Sequence, residues 1–141
     1  MASKRGLTVL VVDDNELVLE SVDSLLAQQG YSVIAADRPT KALAFLSDPN
    51  QEIDILLTDF QMPEMTGTEL ARRGFRLRPK LRSVFSSSDA ACRTTFRSSD
   101  PFLLKPFTIS DLQESLDLAL KLTPGFFRER RSGRDRRQVS E

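Results

Sequence analysis

Apolar and polar positions alternate along the chain in a pattern typical of a parallel β/α protein. The first apolar run, Leu7–Val12, contains several valines and ends at two acidic residues, which predicts a buried parallel strand. From Glu16 to Gln29 apolar residues recur at helical spacing, and Gly30 follows them as the residue after a helix C-cap would. The chain therefore begins with one strand and one amphipathic helix.

The same alternation continues to Leu122 and gives five β/α units. The further predicted strands are Tyr31–Ala35, Ile53–Thr58, Arg82–Ser86 and Phe102–Leu104. The further predicted helices are Pro39–Ser47, Thr66–Arg76, a short one near Ala90–Arg97, and Ile109–Leu122. Because parallel strands need right-handed crossovers, helices should cover both faces of the sheet. We expect a flavodoxin-like (βα)5 doubly wound parallel sheet in the order 2-1-3-4-5. Its fourth helix should be short or irregular, since Phe96 is the one large apolar anchor in that stretch.

Length and charge favour a single domain with a differently composed end. A chain of 141 residues is about the size of one domain. We expect residues 7–122 to form it, after a short lead of residues 1–6 and before an Arg-rich, flexible tail at 123–141. Met1–Lys121 carries 14 basic and 17 acidic residues, and the remaining residues carry 6 and 3. The formal net charge of zero argues against binding of nucleic acid through phosphate contacts.

Cysteine and histidine usage excludes several kinds of chemistry. Cys92 is the single cysteine, so no internal disulfide can form, which fits a cytoplasmic protein. No apolar run approaches the roughly 20 residues that span a bilayer, so we expect no membrane partner. The sequence contains no histidine, so catalysis or metal binding by histidine within it is excluded.

Polar residues with chemical potential collect at the predicted strand ends. Asp13 and Asp14 follow the first strand, and Asp59 follows the third. Ser86 ends the fourth strand, and Lys105 follows the fifth. In doubly wound sheets ligands bind beyond the carboxyl ends of the strands, so we expect these residues to share one pocket. Three carboxylates repel one another unless a hard cation neutralises them, and this predicts a Mg²⁺ site.

Each of these motifs has a simpler explanation when it is taken alone. Asp13 and Asp14 are also typical of a helix N-cap with an acidic first turn. Lys105 precedes a proline and could mark a turn, and Ser86 begins a run of three serines that could form a polar loop. Ser87 could also supply the hydroxyl in place of Ser86. The common register of all four strand ends is what indicates a site.

Three segments resemble the receiver domains of response regulators. DILLTDFQMPEMTGTEL (Asp54–Leu70) resembles their phosphoacceptor segment, in which a strand-ending Asp is followed by Met-Pro and then by Gly. VLVVDDNELV (Val9–Val18) and FLLKPF (Phe102–Phe107) extend the resemblance over residues 7–122, with the motifs in the family's order. The spacing from Ser86 to Lys105 is a few residues shorter than expected of the family.

The resemblance implies a phosphoacceptor and a metal site. Asp59 is expected to accept a phosphoryl group from a histidine kinase or a histidine phosphotransfer protein. Mg²⁺ is expected to bind Asp14 directly, Asp13 through water and the backbone carbonyl of Gln61, beside Asp59. Gly67 is expected to supply either a backbone conformation or a close approach that other residues resist.

The resemblance also implies a switch that reports phosphorylation. Lys105 and the Ser86 hydroxyl are expected to contact phosphoryl oxygens. Phe102 occupies the position of the family's switch aromatic, although an ordinary core or strand-edge phenylalanine is the alternative. A protein output partner is expected to read the changed surface, and a homodimer is a further candidate assembly.

Two other functions are compatible with parts of the pattern. A receiver fold that has lost phosphorylation, a pseudo-receiver, would act only as an interaction module. An aspartate-nucleophile phosphatase typically carries a second Asp two residues after the nucleophile, but Gln61 stands there, so we do not expect an enzyme.

A basic stretch between residues 72 and 82 is interpreted as a solvated face, with a surface that binds an acidic partner as the alternative. Its basic residues are Arg72, Arg73, Arg76, Arg78, Lys80 and Arg82.

Overall fold

Five parallel strands form one sheet with helices on both faces. The structure is a computed structural model that describes residues 6–95, 100–122 and 124. The strands are β1 (Thr8–Val12), β2 (Ser32–Ala36), β3 (Ile55–Asp59), β4 (Arg82–Ser87) and β5 (Phe102–Leu104). The helices are α1 (Glu16–Gln28), α2 (Pro39–Ser47), α3 (Gly67–Leu77) and α4 (Ile109–Lys121), and a 3₁₀ segment spans Ala90–Thr95. The strand order β2-β1-β3-β4-β5 confirms the predicted flavodoxin-like sheet.

Alternate residues of the strands supply two hydrophobic cores. Val9 and Val11 of β1 pack on the side of α1 and α4, whereas Leu10 and Val12 pack on the side of α2 and α3. Side chains of a strand point alternately to its two faces, so a strand covered on both sides must be apolar throughout. Burying each such side chain contributes about 2 kcal/mol. The central strands are therefore rigid supports for the residues that follow them.

Helix ends are fixed by short local signals. The side chains of Asn15, Thr66 and Thr108 accept backbone N–H bonds at the starts of α1, α3 and α4. Asp111 completes a reciprocal capping box with Thr108. Gly30 has a positive φ of 94° after the C-cap of α1, where residues with a Cβ are disfavoured. The predicted role of this glycine is confirmed.

The structure moves several predicted boundaries by one or two residues. β4 ends at Ser87 rather than Ser86, because the Ser87 carbonyl accepts the Lys105 N–H at 2.9 Å and extends the pairing with β5. β3 begins at Ile55 and includes Asp59. The fourth helix is the short 3₁₀ segment Ala90–Thr95, and residues 96 and 97, which the prediction included, lie outside the described residues. The predicted lead and tail lie almost entirely outside the described residues. Among the described helices, none is long and apolar enough to cross a membrane.

Candidate functional site

The carboxyl edge of the sheet brings the predicted polar residues together. Asp59, the last residue of β3, pairs in register with Ser86 of β4. Paired residues of parallel strands direct their side chains to the same face, so the two polar side chains are neighbours. Leu57, two residues before Asp59, lies in the core beneath α1 and α4. The pair therefore continues the row of side chains on that face to the edge of the sheet.

Three carboxylates form a cluster at this edge. Oxygen atoms of Asp13, Asp14 and Asp59 all lie within 4.8 Å of one another. Asp13 is only 2% exposed and Asp59 9%, whereas Asp14 is open to solvent. Asn15 is the N-cap of α1, so the alternative that Asp13 or Asp14 serves as the cap is wrong. A compact set of carboxylate oxygens with one solvent-facing member fits a hard divalent cation that keeps some of its water.

Lys105 joins the carboxylates through its ammonium group. Its Nζ donates a hydrogen bond to Asp13 Oδ2 at 2.6 Å and lies 3.5 Å from Asp59 Oδ2. The lysine side chain is 15% exposed, so its charge acts in a poorly hydrated place. The Lys105 N–H bond to the Ser87 carbonyl holds the backbone against β4. One fixed cation therefore offsets part of the negative charge of three carboxylates.

The surroundings of Asp59 change the pKa of its carboxyl group. Burial raises the pKa of Asp59, and the nearby charge of Asp13 raises it further. The charge of Lys105 and a hydrogen bond from the Gln61 backbone act in the opposite direction. Together these effects leave the pKa of Asp59 above its ordinary value, so the positive charge around the ionised carboxylate does not fully compensate its burial. A bound cation would supply the missing charge.

The loop from β3 to α3 is packed closely against the acceptor strand. A Cβ on Gly67 would lie 2.4 Å from the backbone oxygen of Asp59, which confirms the predicted close approach. The Gly67 N–H also donates to the Phe60 carbonyl at 2.8 Å. Gln61 is exposed two residues beyond Asp59. Glycine thus lets the loop fold back beside Asp59 and Gln61.

A second feature of this loop was not predicted. Glu64 has a positive φ of 81°, and the Met65 N–H donates to the Pro63 carbonyl across it at 3.0 Å. Its carboxylate accepts a bond from the Thr40 N–H at 3.4 Å, in the first turn of α2. Glutamate is uncommon at positive φ, so the sequence held no signal for this turn. The contact ties the loop to α2.

The two candidate serines lie in different environments. Both are buried, but consecutive residues of a strand face opposite sides, so Ser86 shares the face of Asp59 and Ser87 does not. The Ser87 hydroxyl accepts a hydrogen bond from the Asp89 N–H at 3.0 Å. Phe102 is half-buried against the core beneath α2 and α3, so it does not line the carboxylate cluster. The geometry favours Ser86 over Ser87 as the hydroxyl next to the acceptor.

Comparison with known proteins gives a consistent result. The family model described as the response regulator receiver domain matches residues 9–117. The chain is 32% identical over 121 residues to the response regulator protein TmoT of Ectopseudomonas mendocina, covering 82% of this chain and 54% of that protein. The chain spans between 19% and 54% of the length of the first curated relatives that it matches.

Solved structures share the fold. A CheY-like receiver domain protein of Methanospirillum hungatei is 28% identical, with a TM-score of 0.69 over 82% of this chain and 94% of that one. The response regulator protein TrrA of Thermotoga maritima, solved in complex with Mg²⁺-BeF, is 24% identical, with a TM-score of 0.68 over 79% of this chain and 96% of that one. The similarity to TrrA shows a common fold only.

Proposed function

Because the chain belongs to the response regulator receiver family of two-component signalling, we propose that it accepts a phosphoryl group on Asp59 in a Mg²⁺-dependent reaction. Phosphorylation then switches a protein-interaction surface. The observation that carries the proposal is the cluster of Asp13, Asp14 and Asp59 with the Lys105 ammonium beside it. Carboxylates alone would repel an incoming phosphoryl group. A metal and a lysine together make the same place attractive to it.

Asp59 is the proposed nucleophile. Its side chain stands at the end of a central strand, and Gly67 lets the following loop pack closely against the Asp59 backbone. A carboxylate oxygen attacks phosphorus, the bond from phosphorus to the donor nitrogen breaks, and an aspartyl phosphate forms. The proposed donor is a phosphohistidine of a histidine kinase or of a phosphotransfer protein, and this sequence contains no histidine that could take that part. The donor imidazole leaves with its own protein.

The proposed metal ligands are Asp14, Asp13 through water, Asp59 and the backbone carbonyl of Gln61. When bound, Mg²⁺ neutralises the charge that develops between the acceptor and the phosphoryl oxygens. Asp13 is buried and already bonded to the Asn15 N–H and to Lys105, which suits an indirect role. Asp14 is exposed and can turn toward the ion.

Lys105 and Ser86 are the proposed contacts of the new phosphoryl group. Lys105 lies between Asp13 and Asp59, so it can exchange a carboxylate oxygen for a phosphoryl oxygen with little movement. The Ser86 hydroxyl, next to Asp59 across the strand pair, can donate a hydrogen bond to another oxygen. Phe102 packs on the opposite face of the sheet from Ser86, so movement of Ser86 would reach Phe102 through the paired backbones of β4 and β5 rather than by vacating space beside it. This coupling is the proposed switch, read by an output partner or by a second copy.

The two other candidate functions have less support. A pseudo-receiver would be favoured by loss of Asp14, Asp59 or Lys105, and all three are present. A phosphatase would need an acid/base carboxyl where Gln61 stands. The proposed function is therefore a phosphorylation-controlled signalling module.

Phosphotransfer from acetyl phosphate tests the proposal without a cognate kinase. Intact mass spectrometry should show one added phosphoryl group in Mg²⁺ and none in EDTA. Asp14→Ala should bind Mg²⁺ at least about tenfold more weakly in a calorimetric titration, whereas Glu52→Ala, which removes an exposed carboxylate, should bind it normally. Equal Mg²⁺ affinity in the two variants would remove the basis for the metal site, and phosphorylation in EDTA would remove the need for a metal.

A further inference from the structure

The basic residues of the domain are concentrated at the end remote from the carboxylate cluster. Between Arg72 and Arg82 the sequence carries six basic residues and no acidic one. The remainder of Met1–Lys121 carries eight basic and 17 acidic residues. Segment 72–82 runs from α3 into the first residue of β4, at the amino edge of the sheet. Six of the 14 basic residues of Met1–Lys121 thus lie in one segment that contains no acidic residue.

Some of these cations already have structural partners. Arg72 and Arg73 both bind Glu69, one turn earlier on α3, with Arg73 Nε 2.8 Å from Glu69 Oε2. Arg78 donates to three backbone carbonyls around the end of α2, including Leu46 at 3.0 Å. These bonds satisfy carbonyls that the helix end leaves open. Arg78 therefore fixes the connection between α3 and β4, which carries Lys80 and joins Arg76 to Arg82.

The other three cations are not paired within the described part of the chain. Arg76, Lys80 and Arg82 form no ion pair among the described residues. Arg82 Nε is moreover buried and has no hydrogen-bond partner there. A buried guanidinium nitrogen without an acceptor is costly, and such groups are normally satisfied. An acceptor from another molecule would remove that cost.

A groove leads to Arg82. It has a volume of about 570 Å³ and is lined by residues of the turn before β3 and of the turn before β4, including Lys80, Leu81 and Arg82. Leu77, 48% exposed at the end of α3, directly precedes Arg78, which lines the groove. We define Arg76, Leu77, Lys80 and Arg82 as the basic groove surface. It combines the groove-lining Lys80 and Arg82 with Arg76 and Leu77 of the last turn of α3, which leads into the groove.

We propose that the basic groove surface docks an acidic segment of a partner protein, with one carboxylate of that segment entering the groove to meet Arg82. A carboxylate suits a planar guanidinium, and apolar residues of the segment would cover Leu77. Glu52 and Asp54 also line the groove and oppose any anion in it, so the attraction must come from Lys80 and Arg82. A nucleic acid fits less well than a short acidic segment, because the rest of the domain carries more acidic than basic residues and repels a long polyanion. Since this surface lies at the opposite edge of the sheet from Asp59, it can be occupied while the site is phosphorylated.

A labelled peptide of repeating Glu-Leu-Glu-Ala sequence is the probe, measured by fluorescence anisotropy against the full chain. The same peptide with Gln in place of Glu is its uncharged control. We expect binding of the acidic peptide alone, and weaker binding as salt is raised. Arg76→Gln/Lys80→Gln should weaken it about fivefold and Arg82→Gln about tenfold. The control variant Lys41→Gln/Lys121→Gln removes two exposed cations elsewhere and should change binding less than about twofold.

Four outcomes would overturn the proposal. The acidic peptide could fail to bind, or the control variant could weaken it as much as Arg76→Gln/Lys80→Gln does. A single-stranded oligonucleotide of equal charge could bind more tightly and lose affinity in the same variants, which would make the surface a nucleic-acid site. Sedimentation could instead show self-association that Arg76→Gln/Lys80→Gln abolishes, which would make a second copy the occupant. Circular dichroism of each variant establishes that lost binding is not lost folding.

Discussion

Lys105→Met tests whether the ammonium group offsets the charge of the carboxylate cluster. The change removes the cation and keeps an apolar side chain of similar length. Nζ lies 2.6 Å from Asp13 and 3.5 Å from Asp59, distances at which a pair of unit charges interacts by roughly 6 and 5 kcal/mol, respectively, at an effective dielectric constant of about 20. Desolvation of the ammonium offsets much of this energy. We expect a loss of about 2 kcal/mol in the free energy of unfolding near neutral pH, below the roughly 3–5 kcal/mol typical of a fully buried broken pair.

Urea unfolding in EDTA and in Mg²⁺ measures this loss. Because a divalent cation can replace the missing charge, Mg²⁺ should stabilise Lys105→Met more than it stabilises the parent. Lys41→Met, which changes an exposed lysine of α2, should remain within about 0.5 kcal/mol of the parent. If Lys105→Met and Lys41→Met were equally stable in EDTA, the ammonium would not be offsetting the carboxylate charge.

The stability lost in Lys105→Met should depend on pH in a defined direction. In the folded parent the pKa of Asp59 is already raised by burial, and removing Lys105 removes the largest influence that lowers it. A carboxyl whose pKa is higher in the folded than in the unfolded state binds its proton more tightly when folded. Stability therefore falls as pH rises from the unfolded to the folded pKa. The deficit of Lys105→Met should be smaller below this window than above it.

Three further predictions concern the switch, the loop and the core. Ser86→Ala should still incorporate one phosphoryl group but should weaken the NMR shift changes of β5 on phosphorylation, whereas Ser87→Ala should keep them; equal responses in both variants would contradict the assignment of the hydroxyl. Gly67→Ala should cost about 2 kcal/mol in urea unfolding and slow phosphotransfer, because its Cβ would meet backbone. Gly74→Ala, whose Cβ would meet only leucine side chains, should leave the phosphotransfer rate unchanged. An equal slowing in both variants would refute the claim that phosphotransfer depends on the close packing of Gly67 against the Asp59 backbone. Tyr31→Phe should be neutral or stabilising by up to about 1 kcal/mol, since the buried hydroxyl has no partner among the described residues. Burial, with the charge of Asp117, raises the pKa of Tyr31 to about 12, so the parent alone should lose stability as pH rises from 10 toward 12; a parallel loss in Tyr31→Phe would contradict this.

The sheet could be predicted from the sequence because its strands are buried on both faces. A short, mostly apolar run such as Leu7–Val12 can form few structures other than a buried strand, and the acidic residues that follow mark its end. The end of β4 could not be placed as well. Whether Ser87 belongs to the strand depends on its bond with the Lys105 N–H, which comes from a distant part of the chain. Periodicity within β4 carries no information about that partner.

The candidate site was predicted as a set of residues rather than as a geometry. Strand ends placed Asp13, Asp59 and Lys105 at one edge, since all the strands are parallel. The bond of Lys105 to Asp13 rather than to Asp59 depends on side-chain packing and could not be read from spacing. The turn at Glu64 was missed because a positive φ at glutamate opposes the residue's own preference. Such a conformation is imposed by the surrounding loop.

Mapping the phosphorylated residue tests the central claim most directly. The chain is incubated with acetyl phosphate and Mg²⁺ and then reduced with borohydride, which converts an aspartyl phosphate into homoserine, and its peptides are sequenced by mass spectrometry. We expect homoserine at position 59 alone, no homoserine when EDTA replaces Mg²⁺, and no modification of a folded Asp59→Asn variant. Homoserine at position 13 or 14 in the parent, or undiminished phosphorylation of Asp59→Asn, would contradict the assignment of Asp59 as the acceptor.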